Sequence, residues 1–554
     1  MPDRQIFFDP QRTRWKRLRR IFDITAVVST LVLAGFIFNV LRGQRLPELL
    51  LPTQKHTYKG LQNRTPINHN VKPQHPTRRK TDRRPSEIPF NTGEGLRAAY
   101  YIPADAASYS SLKEHIHQID LLFPQWLHFD APSIDLEGTT SDGHEFSIFQ
   151  GSAIHDPDEN NKVKRVIQEA REDTEIFPHL DNFNAHTQSW DPAMGDVIKD
   201  PAKRSQIRQE ILRLFAAFPV YHGLSFDIES LNDDARPAYL TLIQEIYSDL
   251  HARHLHLYVN VAVSTPVEEL KVISASSDGV VLMNYDEHEV ESQPGPIASQ
   301  EWFVGNLNRV LKSKAVPIEK LICAVANYGY DWEMSIPDPK ARDPKLRKPR
   351  VVDTEEMTHV SDVWQRASDA DTDLDLDYNS LNPHYEYIDE DTHTRHVVWF
   401  LDGVTLLNEM RAARGLGLQT FALWRLGSED RAMWNVWDKP SNPASLDALG
   451  TLQPGHDVDT IGSGDILRVT GLPQTGKRTV TVDTDEPDPR KKLIIDEHMD
   501  VFPHTYTVEY YGYHPNQVAI SFDDGPDPKW TPRILDILRQ KNVKGTFIDR
   551  KSVV

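Results

Sequence analysis

Tyr221-His222-Gly223-Leu224-Ser225-Phe226-Asp227-Ile228-Glu229 is a short apolar run that closes on two carboxylates. Side chains alternate along a strand, so Ser225, Asp227 and Glu229 fall on one face while Leu224, Phe226 and Ile228 fall on the other. Two carboxylates two residues apart on one face repel each other. One of them is therefore expected to hold a proton near neutral pH, which a general acid must do to protonate a leaving oxygen. The plainer alternative is a pair solvated or salt-bridged at the strand's end.

Outward from this run, seven further β-rich stretches stand at 98–102, 125–129, 175–180, 255–263, 279–285, 321–328 and 418–424. Between them, segments such as 110–119, 202–218 and 237–254 carry apolar residues at three- and four-residue spacing, as amphipathic helices do. Alternating strand and helix calls for a parallel sheet, and eight repeats call for closure. The fold class expected is α/β, a (β/α)8 TIM barrel over 91–438, with a doubly wound open sheet as the rival. In such barrels the active site gathers at the C-terminal ends of the strands, where Asp227 and Glu229 stand. The long charged stretch 331–395 predicts a subdomain or lid inserted between the seventh and eighth strands.

The flanks read differently. Residues 21–41 are almost wholly apolar and as a helix would span about 30 Å, the thickness of a hydrocarbon core. Arg12, Arg14, Lys16, Arg17, Arg19 and Arg20 precede them, so the positive-inside rule keeps a basic cytoplasmic tail, 1–20, inside and sends the rest outward. A signal anchor in the cell membrane is expected, single-pass, with the bulk of the chain extracytoplasmic. A cleaved signal peptide fits less well, because Asn39-Val40-Leu41-Arg42 offers no small-residue cut. Residues 42–90 are polar, basic and proline-bearing, a flexible linker. After the barrel, 439–513 reads as a linker with a small β-rich segment, and 514–554 opens a new αβ unit.

The 554 residues suit two or three domains. The formal charge of −19 speaks against a nucleic-acid partner, since phosphate binding needs clustered Lys and Arg. The single cysteine, Cys323, excludes a disulfide within the chain and sits in an apolar run, where it serves as core filler.

Gly223-Leu224-Ser225-Phe226-Asp227-Ile228-Glu229 resembles the fourth-strand signature Asp-Gly-x-Asp-x-Asp-x-Glu of family 18 glycoside hydrolases, the chitinase family. Met283-Asn284-Tyr285-Asp286 resembles that family's Met-x-Tyr-Asp, and Trp424 resembles the tryptophan flooring its sugar subsite. Gln125-Trp126 and Trp424-Arg425-Leu426-Gly427-Ser428-Glu429-Asp430 are more similar to the branch acting on bacterial wall polymers. The resemblance implies substrate-assisted hydrolysis of a polysaccharide containing N-acetylglucosamine, in which the sugar's own acetamide replaces an enzyme nucleophile. By it Glu229 is acid and then base, Asp227 orients and stabilises the acetamide, and Tyr285 hydrogen-bonds the acetamide oxygen. Trp424, Asp286, Ser225 and Met283 then line the substrate site, and the barrel needs no cofactor. Two positions depart from the signature: His222 and Ser225 replace its first and second Asp. The relay behind Asp227 is expected to be weaker, and the pKa of Glu229 less strongly raised, than in a barrel with the intact signature.

Val518-Ala519-Ile520-Ser521-Phe522-Asp523-Asp524-Gly525-Pro526-Asp527 resembles the opening motif of the polysaccharide deacetylases, carbohydrate esterase family 4. That resemblance implies Asp523 as general base and Asp524 as ligand to a divalent metal such as zinc. The family's two histidine ligands come later in the chain, and none follows Val554, so the site is expected to be incomplete here. Anchor, barrel and deacetylase in this order resemble the front of trimodular bacterial proteins that continue into a family 2 glycosyltransferase. Three readings stay open: an anchored hydrolase and deacetylase associated with a polysaccharide synthase, a barrel that guides the polymer without cutting it, and a peptidoglycan hydrolase. Oligomeric state is not legible.

Overall fold

The computed structural model describes residues 95–549, apart from 130–148, 151–156, 171, 185–188 and a few short gaps at 338–339, 341–346, 390–391, 441, 443, 457, 513–517, 519, 526 and 528. The expected anchor at 21–41, with its tail and linker, lies outside the described residues. Among those described, no helix is long and apolar enough to cross a membrane.

Eight strands form one parallel sheet: β1 (Arg97–Tyr101), β2 (Leu121–Phe129), β3 (His179–Asp181), β4 (Gly223–Asp227), β5 (His256–Ala262), β6 (Gly279–Met283), β7 (Leu321–Ala326) and β8 (Phe421–Trp424). β1 pairs with β8 through Arg97 and Phe421 and with β2 through Ala98 and Leu121, so the sheet closes on itself. The closed barrel, not the open sheet, is the outcome. All eight stretches picked out in the sequence supply these strands, because each is a largely apolar run, as a strand between helices and barrel interior tends to be.

Alternation sorts those apolar side chains into two layers. Ala98, Tyr100, Leu121, Phe123, Phe177, Tyr258, Val281, Ile322 and Ala422 fill the barrel. Their neighbours in sequence, among them Ala99, Leu122, Leu180, Leu224, Phe226, Leu257, Val259 and Val280, pack outward against the helices. Gly223 permits the close approach of β4 to β5, since a Cβ there would lie 2.0 Å from the carbonyl oxygen of His256. The helices begin where short polar side chains meet their first free N–H groups. Asp105 accepts from Ala107 at 2.8 Å and Asp200 from Ala202 at 2.8 Å, the latter just before Pro201.

The predicted insertion is an antiparallel five-stranded sheet, Gly329–Ser335, Val351–Met357, Asp375–Leu376, Pro383–Asp389 and Thr394–Phe400, carrying the helix Val360–Asp369. Asp331 sits buried within it, accepting hydrogen bonds from Arg366, Tyr387 and His396, each at 2.8 Å. Beyond the barrel, Thr451–Leu452, Gly476–Val482 and Ile494–Val501 form a small antiparallel sheet. It is tied to the barrel's last long helix, Gly403–Gly415, by Arg478, which is buried with Asp402 at 2.6 Å, Asp430 at 2.9 Å and Glu497 at 3.5 Å. Asn408 adds two hydrogen bonds to the backbone of Ile494, each of 2.8 Å.

A second compact unit takes in residues 509–554. Its strand Ser521–Gly525 pairs in parallel with Thr546–Asp549, and the helix Thr531–Lys541 crosses between them, a βαβ unit of the kind expected there.

Candidate active site

β4 delivers Ser225 and Asp227, both buried, to the C-terminal end of the barrel, and Glu229 follows two residues past Asp227, half-buried. The expected shared face is realised. Asn182, just past β3, holds Glu229 by its backbone: its side-chain oxygen accepts the Glu229 N–H at 2.9 Å and its amide donates to the Glu229 carbonyl at 2.9 Å. Ser230 follows in the left-handed region, with φ of 55°, so the chain turns away immediately after the acid.

The electrostatics favour protonated carboxyls. Burial, then the charges of Asp286, Asp181 and Glu289, push the Glu229 carboxyl up to about 7. Burial, then Glu229 and Asp181, hold Asp227 well above the ordinary carboxylate range. Asp181 comes from the neighbouring strand, where it is the register partner of Asp227, and adds a negative charge that the motif does not contain.

Asp181 is fully buried and well partnered. It accepts from Gln125 at 3.0 Å and from the backbone of Phe183 at 3.0 Å, and His128 lies 2.6 Å from its Oδ1. Burial opposes charge on His128, but the hydrogen bond to Asp181 and the carboxylate's field carry it above its ordinary value. His179, on β3, places Nε2 at 3.7 Å from Asp181 and at 3.7 Å from Asp227, and its Nδ1 is 3.0 Å from Ser225 Oγ. Burial, against the pull of Asp181, lowers His179 to about 4, so the ring is neutral at neutral pH. Asn260 on β5 donates to Ser225 Oγ at 3.1 Å and accepts from Tyr100 on β1. Ser225 is thus a buried hydroxyl in a network drawn from three strands.

β6 carries the next group. Met283 ends the strand half-buried, Tyr285 follows buried, and Asp286 takes a left-handed backbone with φ of 64°. Asp286 accepts hydrogen bonds from Tyr328 and, at 3.2 Å, from Tyr330, both leading into the insertion. Burial outweighs those bonds and, with Glu289, raises Asp286 to about 7. Trp424 ends β8, half-buried and edge-on to Tyr100 at 5.2 Å between ring centroids, before a cis peptide to Arg425. β4, β6 and β8 thus bring Ser225, Asp227, Glu229, Met283, Tyr285, Asp286 and Trp424 to one end of the barrel.

The closed parallel barrel has known counterparts. The chain aligns with a chitinase from Chromobacterium violaceum ATCC 12472 at a TM-score of 0.51, covering 62% of this chain and 98% of that one at 20% identity. The barrel has the fold of a chitinase. By sequence, this chitinase-fold barrel is similar to an uncharacterized glycosylase, YvbX, of Bacillus subtilis (strain 168). The two are 22% identical over 363 residues, 63% of this chain and 93% of the relative. Residues 511–548 match the polysaccharide deacetylase family model. Over 35 residues, 6% of this chain, it is 60% identical to a peptidoglycan-N-acetylglucosamine deacetylase of Bacillus cereus, covering 13% of that protein.

Asp523 and Asp524 belong to the strand Ser521–Gly525, the first of the C-terminal βαβ unit. Among the described residues, no three His, Cys, Asp or Glu side chains converge where a metal ion could sit.

His179, Asp181, Asn182 and His128 were not picked out from the sequence. The signal available was the stretch His179-Leu180-Asp181-Asn182, polar residues closing an otherwise apolar third strand, the same pattern that marked the fourth. His128 likewise stands near the end of β2. It drew no attention because a single histidine in an apolar run is commonly a satisfied core residue.

Proposed function

We propose that the barrel is a retaining glycoside hydrolase acting on N-acetylglucosamine-containing polysaccharide by substrate-assisted catalysis. The observation that carries this reading is Glu229. A carboxyl held near 7, clamped by its backbone and set beside a second buried carboxyl, is a proton donor in waiting at neutral pH. Glu229 protonates the glycosidic oxygen. Asp227 turns its free oxygen to the acetamide, and Tyr285 binds the acetamide carbonyl as charge develops. Trp424 offers the sugar ring an apolar face, and Asp286, Ser225 and Met283 complete the lining. Two of the names carried by similar proteins, a chitinase and a peptidoglycan-N-acetylglucosamine deacetylase, point to this sugar class.

The remaining parts of the reading rest on sequence. Residues 21–41 anchor the chain in a membrane with the barrel outside. The segment 514–554 begins a metal-dependent N-deacetylase in which Asp523 is the base and Asp524 one ligand of a divalent metal such as zinc. The whole protein belongs with a polysaccharide synthase that continues into a glycosyltransferase. The second reading, a barrel that guides polymer without cutting it, is favoured by Ser225 in place of the signature's second carboxylate.

The test is incubation of the chain with acetylated and partly deacetylated N-acetylglucosamine oligomers, read by mass spectrometry beside Glu229→Gln. Shorter oligomers from the parent alone support the hydrolase. Intact oligomers in both, with measurable binding, overturn it in favour of the guiding barrel.

A further inference from the structure

Asp227 is buried and its Oδ1 has no hydrogen-bond partner among the described residues. An ionised carboxylate would be costly in that state, whereas a protonated one can rotate and offer that oxygen to a ligand. In the family signature a second carboxylate two residues earlier stands behind this residue, and here that position is the hydroxyl of Ser225. The structure provides another carboxylate at the same level. Asp181 on β3 is the register partner of Asp227 on β4, and His179 Nε2 lies 3.7 Å from a carboxylate oxygen of each.

We propose that Asp181 is the second carboxylate of this site, a positioning residue that acts through Asp227 in place of the one that Ser225 lacks. It rests on the hydrolase reading for its catalytic consequence, though not for its geometry. Three features single Asp181 out from an ordinary buried acid. It is fully buried, its partner His128 engages Oδ1 from the β2 side, and its Oδ2, which accepts from Gln125 at 3.0 Å, lies 3.7 Å from His179 Nε2. His179 is neutral at neutral pH, so it stands 3.7 Å from each carboxyl without cancelling the charge between them. Gln125 and the Phe183 N–H fix the carboxylate's orientation, so its field at Asp227 is constant rather than averaged over rotamers.

The groups around Asp227 are known on every side. They are Asp181 and His179 on β3, Glu229 just past the end of β4 and Tyr100 on β1. Tyr285 follows β6, and Tyr239 lies on the helix Arg236–His251. Of these, Asp181 and Glu229 are the carboxylates. Glu229 must itself be protonated to act, which leaves Asp181, paired with His128 on β2, as the other carboxyl that raises Asp227. Its field reaches Glu229 as well, so removing it lowers the affinity of both carboxyls for their protons.

The experiment compares the full chain with Asp181→Asn, an isosteric change, and with Asp181→Asn combined with Ser225→Asp, using acetylated N-acetylglucosamine oligomers. Asp181→Asn should lower kcat at least tenfold with KM within about twofold, and should move the alkaline limb of the pH profile to lower pH. Ser225→Asp in that background should move the limb back and recover part of the rate. An unchanged limb and rate in Asp181→Asn, or no recovery in the double variant, overturns the proposal while leaving the hydrolase reading standing. If the parent binds oligomers without cleaving them, the hydrolase reading fails instead. The proposal is then decided by infrared titration of the carboxyl band that Asp227→Asn removes. A lower midpoint in Asp181→Asn upholds it, and an unmoved midpoint overturns it.

Discussion

Asn182 holds Glu229 from both sides of its Cα, accepting its N–H and donating to its carbonyl at 2.9 Å each, although the two residues lie 47 positions apart. The amide has no freedom left, because it also donates to the Asp191 carbonyl at 3.0 Å. The side chain of the proposed acid therefore leaves a fixed point on the barrel rim. A shift of a fraction of an ångström at such a point costs rate before it costs binding. Asn182→Ala should reduce kcat by about 10- to 100-fold with little change in KM. It should also lower stability by roughly 1–3 kcal/mol, since buried Glu229 backbone groups lose their partners. Steady-state kinetics and thermal denaturation of the same preparation check both.

Glu229 sets the pH response. Its folded pKa of about 7 stands above the ordinary carboxylate value, so between those values the native state holds more protons than the unfolded one. Stability from this group is therefore present at low pH and lost as pH rises toward 7, and activity should fall over the same rise as the acid loses its proton. Glu229→Gln should abolish turnover, retain oligomer binding, and remove this component of the stability profile. Melting temperatures of parent and variant at pH 5 and pH 8 should diverge in the variant's favour at the higher pH.

Trp424 is half-buried at the end of β8 with Tyr100 against its edge. An aromatic face of this kind contributes about 0.5–1.5 kcal/mol beyond the area it covers. Trp424→Ala in the Glu229→Gln background should weaken oligomer binding about tenfold, as read by calorimetry. An unchanged affinity would remove Trp424 from the sugar site.

Arg478 joins the small β-sheet to the barrel through three buried carboxylates. Removing the one cation leaves Asp402, Asp430 and Glu497 facing each other without water. Arg478→Met should cost about 3–5 kcal/mol, measured by denaturant unfolding. A fragment ending near Pro440 should be less stable than one carrying the sheet through Val501, because it lacks Arg478 altogether.

Much of the barrel was legible because its information is local. Each strand is a run of apolar residues bounded by polar ones, as in Gly279-Val280-Val281-Leu282-Met283, and each helix shows its own spacing. The inserted sheet announced itself only as a long charged interval, since its pairings, such as Tyr330 with Trp399, join distant residues and leave no periodic trace. The acid pair at Asp227 and Glu229 was visible because the two are close neighbours in one short stretch of sequence. Asp181 was not, because nothing in the order of residues tells that β3 and β4 align with His179 against Ser225 and Asp181 against Asp227.

The sequence by itself determined that strands and helices alternate eightfold, that one strand ends in two carboxylates, and that Cys323 lies in the core, where it is buried. These follow from side-chain alternation and hydrophobic period, which are properties of a chain read a few residues at a time. Only the tertiary structure decided that the sheet closes, that Asn182 grips Glu229, that Asp181 and His179 stand behind Asp227, and that Arg478 binds the last strands to the barrel. Those are side-by-side relations between strands, set by register and packing across tens or hundreds of residues. They arise when the apolar faces are buried together, and with them the low-dielectric setting that holds Glu229 near 7.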